Sequence, residues 1–473
     1  MSAGPPLDRF HDECGVVAIH GDPEAARLAY LGLHALQHRG QEGAGIATSD
    51  GRRMRLHRGR GLVDEVFETG DLDQLKGDMA IGHVRYSTSG GDDLRNVQPM
   101  VARSQFGQVA VAHNGNLVNA GALRVELERQ GSIFTSSSDT EVVLHLLAGS
   151  SQETFVNRLV DALYRVQGAY SMVLMTEGRV VAVRDPWGFR PLVLGRRGAA
   201  WVVASETCAL GLIDGELVRE IEPGEMVIIE RGEVVSLRPF PQRPRKACVF
   251  EHIYFSRPDS VVFGAPVYER RVALGRRLAQ EQPAPCDVVI PVPDSGVPGA
   301  LGYAEAIGAP FQVGLLRSHY VGRTFIEPNQ QIRDFGVRLK LAPVRTVLEG
   351  RRVAVVDDSL VRGTTARKIV RMLRDNGARE VHLRITAPPT TGSCFYGVDT
   401  PTREELIASR MTIDGIRDFL GADSLGYLSL AGLRASQGEC GGGFCDACFS
   451  GEYPVQPSTD PSTEQLPLFV RET

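Results

Sequence analysis

The chain has 473 residues, 42% apolar and 23% charged, the proportions of a soluble globular protein of roughly three domains or two large ones; wholesale disorder, collagen and coiled coil are excluded. Its 52 basic and 57 acidic residues leave a formal net charge of −5, so no whole-molecule basic field exists to attract nucleic acid. No apolar run reaches the ~18 residues of a membrane span, and the N-terminal MSAGPPLDRFHDECG lacks the hydrophobic segment of a secretory signal, so a cytoplasmic protein without membrane contact is expected. Glycine is abundant, 52 residues or about 11% against a usual ~7%, as suits tight turns and close backbone approaches to anions. Eight cysteines are too few for a disulfide scaffold; where they cluster, metal binding or chemistry is expected.

In chain order, residues 1–13 read as a short polar leader. From Cys14 short apolar strands alternate with turns, at 15–19, 45–48, 109–112, 171–175, 180–183, 200–204 and 226–229. Ser138-Asp139-Thr140-Glu141 reads as a capping box opening a helix, with Val142 and Leu146 continuing at helical spacing. The stretch 238–245 holds three prolines in eight residues, which removes backbone donors and marks a domain linker. Beyond it the pattern becomes βαβ. Strands at 287–292, 352–357 and 380–385, and a helix over 365–376 ending at Asn376-Gly377, predict a parallel sheet with helices on its faces. Residues 454–473, rich in Pro, Ser, Thr and Glu, are expected to be disordered, and no internal repeat is present.

The most informative run is 353–365, in which a buried strand ends in Asp357 and Asp358 and a loop with Ser359, Arg362, Gly363, Thr364 and Thr365 opens a helix. Exposed N–H groups at a helix start, ringed by hydroxyls, bind a phosphate; the carboxylates would repel it and so must serve sugar hydroxyls or a divalent cation. Phosphate at the helix and ribose at the acidic pair describe a ribose 5-phosphate. The run resembles the phosphoribosyl pyrophosphate (PRPP) motif of type I phosphoribosyltransferases. That resemblance implies that the acidic pair holds ribose hydroxyls and the following loop the 5-phosphate. Pro293-Asp294-Ser295-Gly296 is similar to the partner loop at pyrophosphate, and implies a magnesium site of Ser295, Asp357 and Asp358.

Cys14 followed by glycine and an apolar strand is uninformative alone, because free cysteine is among the most buried residue types. Around it stand 34–43 (HALQHRGQEG), 82–89 (GHVRYSTS), His113-Asn114-Gly115-Asn116 and Ser138-Asp139, each individually weak. In this order they resemble the class II glutamine amidotransferases, which are N-terminal-nucleophile hydrolases. The resemblance implies that the mature chain starts at Cys14, whose own α-amino group, with a reference pKa of about 7.7–8.0, is the base for the thiol. It implies Arg85 as a bidentate clamp on the glutamine carboxylate and Asp139 on its ammonium. Asn114 and the Gly115 N–H are implied as an oxyanion hole, a contribution of the order of 3 kcal/mol per donor. Cys14 is internal in the sequence, so residues 1–13 are expected to be a propeptide removed autocatalytically.

Cys445 and Cys448 form a C-x₂-C pair, two ligands of the four that zinc or an iron–sulfur cluster takes. Cys208, Cys248, Cys286, Cys394 and Cys440 are candidates to complete it, and spacing does not choose among them, although Cys208 and Cys286 look like core residues. Across residues 14–454 the chain resembles the glutamine-dependent PRPP amidotransferase family, which joins both chemistries; 251–260, 320–326 and 394–397 also fit its pattern. By that resemblance Cys248, Cys394, Cys445 and Cys448 would hold a [4Fe–4S] cluster, with zinc or a Cys445–Cys448 disulfide as alternatives. The fold implied is α+β. A four-layer αββα N-terminal-nucleophile domain at 14–240 precedes an α/β phosphoribosyltransferase domain with a cysteine-rich extension at 241–453. The reaction implied releases ammonia from glutamine and uses it to displace pyrophosphate from PRPP, giving 5-phosphoribosylamine for purine synthesis. Feedback by purine nucleotides and a homotetramer or homodimer are implied as well. The basic stretch 320–340 is expected to close over PRPP and couple the sites. Other class II amidotransferases would need an ATP-pyrophosphatase loop or sugar-isomerase domains, and neither is apparent; a catalytically dead sensor would not need Cys14, Arg85, Asp357 and Asp358.

Overall fold

A computed structural model of the chain describes residues 14–86, 93–104, 107–318, 341–438 and 443–456. The leader 1–13, the 320–340 stretch, Cys440 and the tail from 457 onward therefore lie outside the described residues.

Two antiparallel sheets lie face to face in the first half. One has seven strands in the spatial order Glu216–Glu220, Val193–Arg197, Ala200–Ala204, Gly15–His20, Met79–Arg85, Gly43–Ser49, Met54–Arg60. The other has six: Glu233–Leu237, Met226–Glu230, Arg179–Arg184, Gly168–Met175, Gly107–Leu117, Met100–Ser104. The predicted strands are all present. They read as continuous apolar runs because both faces of each sheet are buried. In Gly15–His20, Val16 and Ala18 point into the core between the sheets, while Val17 and Ile19 pack under the helix Ala25–Ala35. In Gly107–Leu117, Ala110 and Ala112 face the inter-sheet core and Val109 and Val111 face the helices Ala120–Arg129, Thr140–Gly149 and Phe155–Arg165. Helices outside both sheets make the four layers αββα.

The second half contains a parallel sheet in the order Val288–Pro291, Arg352–Asp357, Glu380–Ile385, Ser424–Tyr427, with its own apolar core. Helices Val267–Glu281, Val297–Ile307 and Thr364–Asp375 pack on it. The last of these starts one residue before the expected position and ends at Gly377, whose φ of +91° stops the helix. After the proline-rich stretch the chain runs beside the first sandwich, where Lys246 and Cys248 donate N–H bonds to the carbonyls of Trp187 and Phe189 at 2.7 and 3.0 Å. It then pairs Ala247–Cys248 in parallel with Phe444–Cys445. No helix among the described residues is long and apolar enough to cross a membrane.

The capping box is a correction. The helix Thr140–Gly149 follows Asp139 without a side-chain cap. Glu141 does reach back, but past the helix end: its carboxylate accepts N–H and O–H bonds from Thr135 and Ser136 at 2.6–2.9 Å. It fastens the loop before Asp139 because four donors there outbid one orphan N–H at the helix terminus.

Two candidate active sites and a thiol-lined cavity

Cys14 enters the Gly15–His20 strand. Its thiol faces the Tyr86 carbonyl at 3.6 Å and its own carbonyl accepts from Arg39 Nε at 3.1 Å. Burial pushes the thiol up to about 11, with Arg85 pulling it down and Asp139 and Glu42 pushing it up. Arg85 and Asp139 thus both act electrostatically on the thiol, in opposite senses, and burial favours its protonated form.

Asn114 and Gly115 sit on the Gly107–Leu117 strand. The Asn114 Nδ2 is buried and has no hydrogen-bond partner among the described residues. A buried donor left unpaired costs about 1–3 kcal/mol, which a site recovers when an oxyanion arrives. Gly115 has a φ of +146°, and a Cβ there would stand 2.1 Å from the Ala169 carbonyl oxygen, so only glycine turns its peptide this way. Asp139 Oδ2 accepts the Leu117 N–H at 2.9 Å, which fixes the carboxylate to the same strand.

The surrounding polar network was not legible in the sequence. Gln98 Oε1 accepts the His113 N–H at 2.7 Å and Gln98 Nε2 donates to Thr140 Oγ1 at 3.1 Å. The His113 ring lies between Thr140 Oγ1 at 3.0 Å and the Ala169 carbonyl at 3.2 Å, and burial lowers its pKa, so it is neutral. His83 Nε2 donates to the His113 carbonyl at 3.1 Å, and burial drives His83 down to about 3. Arg39 is fully buried between Glu206 and Glu251 at 2.5 and 2.7 Å, so one of its two carboxylates comes from beyond the linker.

The second site lies at the C-terminal ends of adjacent parallel strands, where open α/β sheets bind ligands. Asp357 ends its strand and accepts the Asp358 N–H at 3.0 Å; Asp358 Oδ1 accepts from Ser359 Oγ at 2.5 Å. Asp358 Oδ2 and Ser295 Oγ are both buried without a hydrogen-bond partner among the described residues. Gly363, at φ +79°, precedes the helix whose first turn, with Thr364 and Thr365, carries no side-chain cap and so presents its N–H groups outward. Arg362 pairs with Glu405 at 3.1 Å, and Asp294, in the partner loop, with Arg317 at 2.6 Å. Arg271, buried beneath, donates to the carbonyls of His252, Tyr254 and Ser256; burial lowers it to about 10 while Asp358 opposes the shift.

Cys248, Cys394, Cys445 and Cys448 line one cavity, with Phe189, Phe250, Tyr396, Val398 and Tyr453 forming its walls. All four are free thiols, so the disulfide alternative is not adopted. Backbone N–H groups two residues on face three of the sulfurs: Tyr396 donates to Cys394 at 3.3 Å, and Phe250 and Ala447 face Cys248 and Cys445. Burial raises Cys248 to about 11 and also raises Cys445 and Cys448, each held further up by its neighbours. Among the described residues no three His, Cys, Asp or Glu side chains converge on a single ion. Cys208 is buried, as expected; Cys286 is only half-buried at the rim of the parallel sheet.

Residues 83–211 match the glutamine amidotransferase domain family. The chain is 61% identical to amidophosphoribosyltransferase 2, chloroplastic, of Arabidopsis thaliana over 96% of its own length and 81% of that protein's. It is 51% identical to amidophosphoribosyltransferase of Bacillus subtilis (strain 168), covering 94% of this chain and 95% of that one. The chain belongs to the amidophosphoribosyltransferase family. The solved B. subtilis glutamine PRPP amidotransferase complexed with ADP and GMP superimposes with a TM-score of 0.90 at 51% identity, covering 94% of this chain and 98% of that one. A structure of the allosteric regulatory enzyme of purine biosynthesis does so at 0.92 and 50%, covering 96% of this chain and all of that one. As in other amidophosphoribosyltransferases, an N-terminal-nucleophile amidotransferase fold precedes a phosphoribosyltransferase fold.

Proposed function

We propose that the two sites divide the amidophosphoribosyltransferase reaction of this family, in which glutamine supplies ammonia to PRPP and 5-phosphoribosylamine, pyrophosphate and glutamate are formed. Division of the chain at about residue 240 assigns the glutaminase to 14–240 and synthesis to 241–453. With residues 1–13 removed, the α-amino group of Cys14 takes the thiol proton. The sulfur then attacks the δ-carbonyl carbon of glutamine, while Arg85 holds the substrate carboxylate and Asp139 its ammonium. Asn114 Nδ2 and the Gly115 N–H receive the charge on oxygen. Collapse expels ammonia, and water cleaves the thioester to glutamate. Ammonia passes internally and attacks C1 of PRPP as the bond to pyrophosphate breaks.

At the second site Asp357 and Asp358 receive the ribose hydroxyls, and Ser359, Arg362, Gly363, Thr364 and Thr365 the 5-phosphate. The unpaired Ser295 Oγ and Asp358 Oδ2 fit a cation among pyrophosphate oxygens, so these two and Asp357 would hold Mg²⁺. A magnesium ion held by these residues would supply positive charge to offset that on the departing pyrophosphate. The four thiols that line one apolar-walled cavity supply the four cysteine ligands a [4Fe–4S] cluster takes, with zinc as the alternative. Such a cluster cross-links segments far apart in sequence. Purine nucleotides as feedback inhibitors and a homotetramer or homodimer belong to the same reading, the former supported by the ADP and GMP of the B. subtilis structure. So does a cytoplasmic location.

The observation that carries the reading is the unpaired, buried Asn114 Nδ2 on the strand to which Asp139 is tied. The test is PRPP-dependent glutamate formation beside PRPP consumption with ammonia in place of glutamine. Ammonia-driven consumption without PRPP-dependent glutamate release would refute the division of labour.

A further inference from the structure

The strand that carries Asn114 and Gly115 is not finished by the first half of the chain. Beyond the linker, residues 394–397 lie directly against it. Asn116 Nδ2 donates to the Phe395 carbonyl at 3.0 Å. Gly397, at φ +106°, approaches so closely that a Cβ on it would stand 3.0 Å from both the Cα and the carbonyl carbon of Gly115. The Tyr396 carbonyl between them accepts two bonds from the buried Arg190, at 2.9 and 2.6 Å, and the Tyr396 ring stacks on Phe189 with centroids 4.3 Å apart.

We propose that Asn116 and Gly397 are positioning residues for the oxyanion hole, which makes the 394–397 segment its rear wall. The inference rests on the reading of Asn114 and Gly115 as the oxyanion donors. Gly115 has no side chain with which to anchor itself. The Ala169 carbonyl and the His113 ring crowd one side of it, and the Gly397 backbone approaches so closely that even a Cβ there would press on it, backbone against backbone. The amide of Asn116 pins the next peptide to the same wall. A donor aimed at a developing charge must be placed to within a few tenths of an ångström, and a displacement of about 1 Å costs on the order of 100-fold in rate. Cys394, the first residue of the wall, also lines the thiol cavity, so glutaminase geometry and that cavity are three peptide bonds apart.

The competing account is that these contacts merely hold the two halves together. Two electrophiles separate the accounts. The diazoketone analogue of glutamine places a carbonyl where the scissile amide carbonyl sits, so its reaction with Cys14 depends on the oxyanion donors. Iodoacetamide alkylates the thiol without them. In Asn116→Ala, in the isosteric Asn116→Asp and in Gly397→Ala, glutamine kcat should fall about 10- to 100-fold with KM for glutamine within about threefold. Diazoketone labelling should slow in parallel, and iodoacetamide labelling and ammonia-dependent synthesis should change less than about twofold. The three variants reach the wall by different changes, so failure of one to fold leaves the others to decide. Equal slowing of both electrophiles, or unchanged glutamine kcat, overturns the proposal. Asn114→Ala distinguishes the failures: if it alone slows the diazoketone, the rear wall is wrong and the oxyanion assignment stands; if it too has no effect, both fall.

Discussion

The two sites of this amidophosphoribosyltransferase are built in opposite ways. The proposed PRPP site is local: Asp357 to Thr365 lie on one strand, one loop and one helix start, where a phosphate would meet the backbone N–H groups that any sequence offers at a helix N-terminus. The proposed glutaminase site is global: Cys14, Arg85, Asn114 and Asp139 come from different elements, and the contacts around them reach across the linker to Glu251 and to 394–397. A phosphate needs donors in a nest, which one turn supplies. A nucleophile, a base, a clamp and an oxyanion hole need four fixed directions, which only tertiary packing supplies.

Removing the nucleophile tests that contrast most severely. Cys14→Ala should reduce glutamine-dependent synthesis to background, a loss of the order of 1000-fold or more, and leave ammonia-dependent synthesis near wild type. Glutamate and pyrophosphate release, measured with each nitrogen donor, check this. Loss of both routes in folded protein would break the two-site division. Asp358→Ala should instead lower both synthetic routes, by about 100-fold, because it removes the buried carboxylate oxygen proposed to meet PRPP or its cation. Glutaminase activity without PRPP should survive, and PRPP binding by calorimetry should weaken.

The same contrast explains what the sequence disclosed. The strands were legible because burial on both faces leaves unbroken apolar runs, and the PRPP loop because its residues are contiguous. Arg85, Asn114 and Asp139 were proposed only through a family resemblance, since nothing in their spacing links them to Cys14. Gln98 carried no signal, and Asn116 and Gly397 stood only inside runs that fit the family pattern, with no role attached to either. Gln98 serves through a hydrogen bond to His113 across 15 positions, and Gly397 through what it lacks, a side chain that would strike Gly115. Glu141 misled for a physical reason: a glutamate three residues after a serine caps a helix only if no better donors compete, and Thr135 and Ser136 do.

A smaller effect concerns the cavity that ties the halves together. Anaerobically purified protein should contain iron and sulfide at about four each per chain. Cys445→Ser should lose them and lower the thermal midpoint by more than about 5 °C, because it opens a cross-link over long loops. Cys286→Ser, at a half-buried thiol outside the cavity, should shift it by about 1 °C or less. Stoichiometric zinc without iron would replace the cluster by a single-ion site.

The smallest effect isolates the support of the glutaminase site by pH. His83 is buried, its Nε2–H bonds the His113 carbonyl, and its folded pKa is driven to about 3 from an ordinary 6.5. Between those values the unfolded chain binds a proton that the folded chain refuses. Stability therefore is full above about pH 6.5 and is lost as pH falls, at up to about 1.4 kcal/mol per pH unit from this one group. His113 shifts in the same direction, also by burial. Both histidines belong to the polar network of the strand that carries Asn114. The thermal midpoint of the wild type should fall between pH 6.5 and 5.0, and His83→Gln, which keeps a donor without a titrating ring, should flatten that slope while lowering the midpoint at pH 7.5. Equal slopes in the two proteins would place His83 outside the acid response and leave the neutral-histidine support of the oxyanion strand resting on His113 alone.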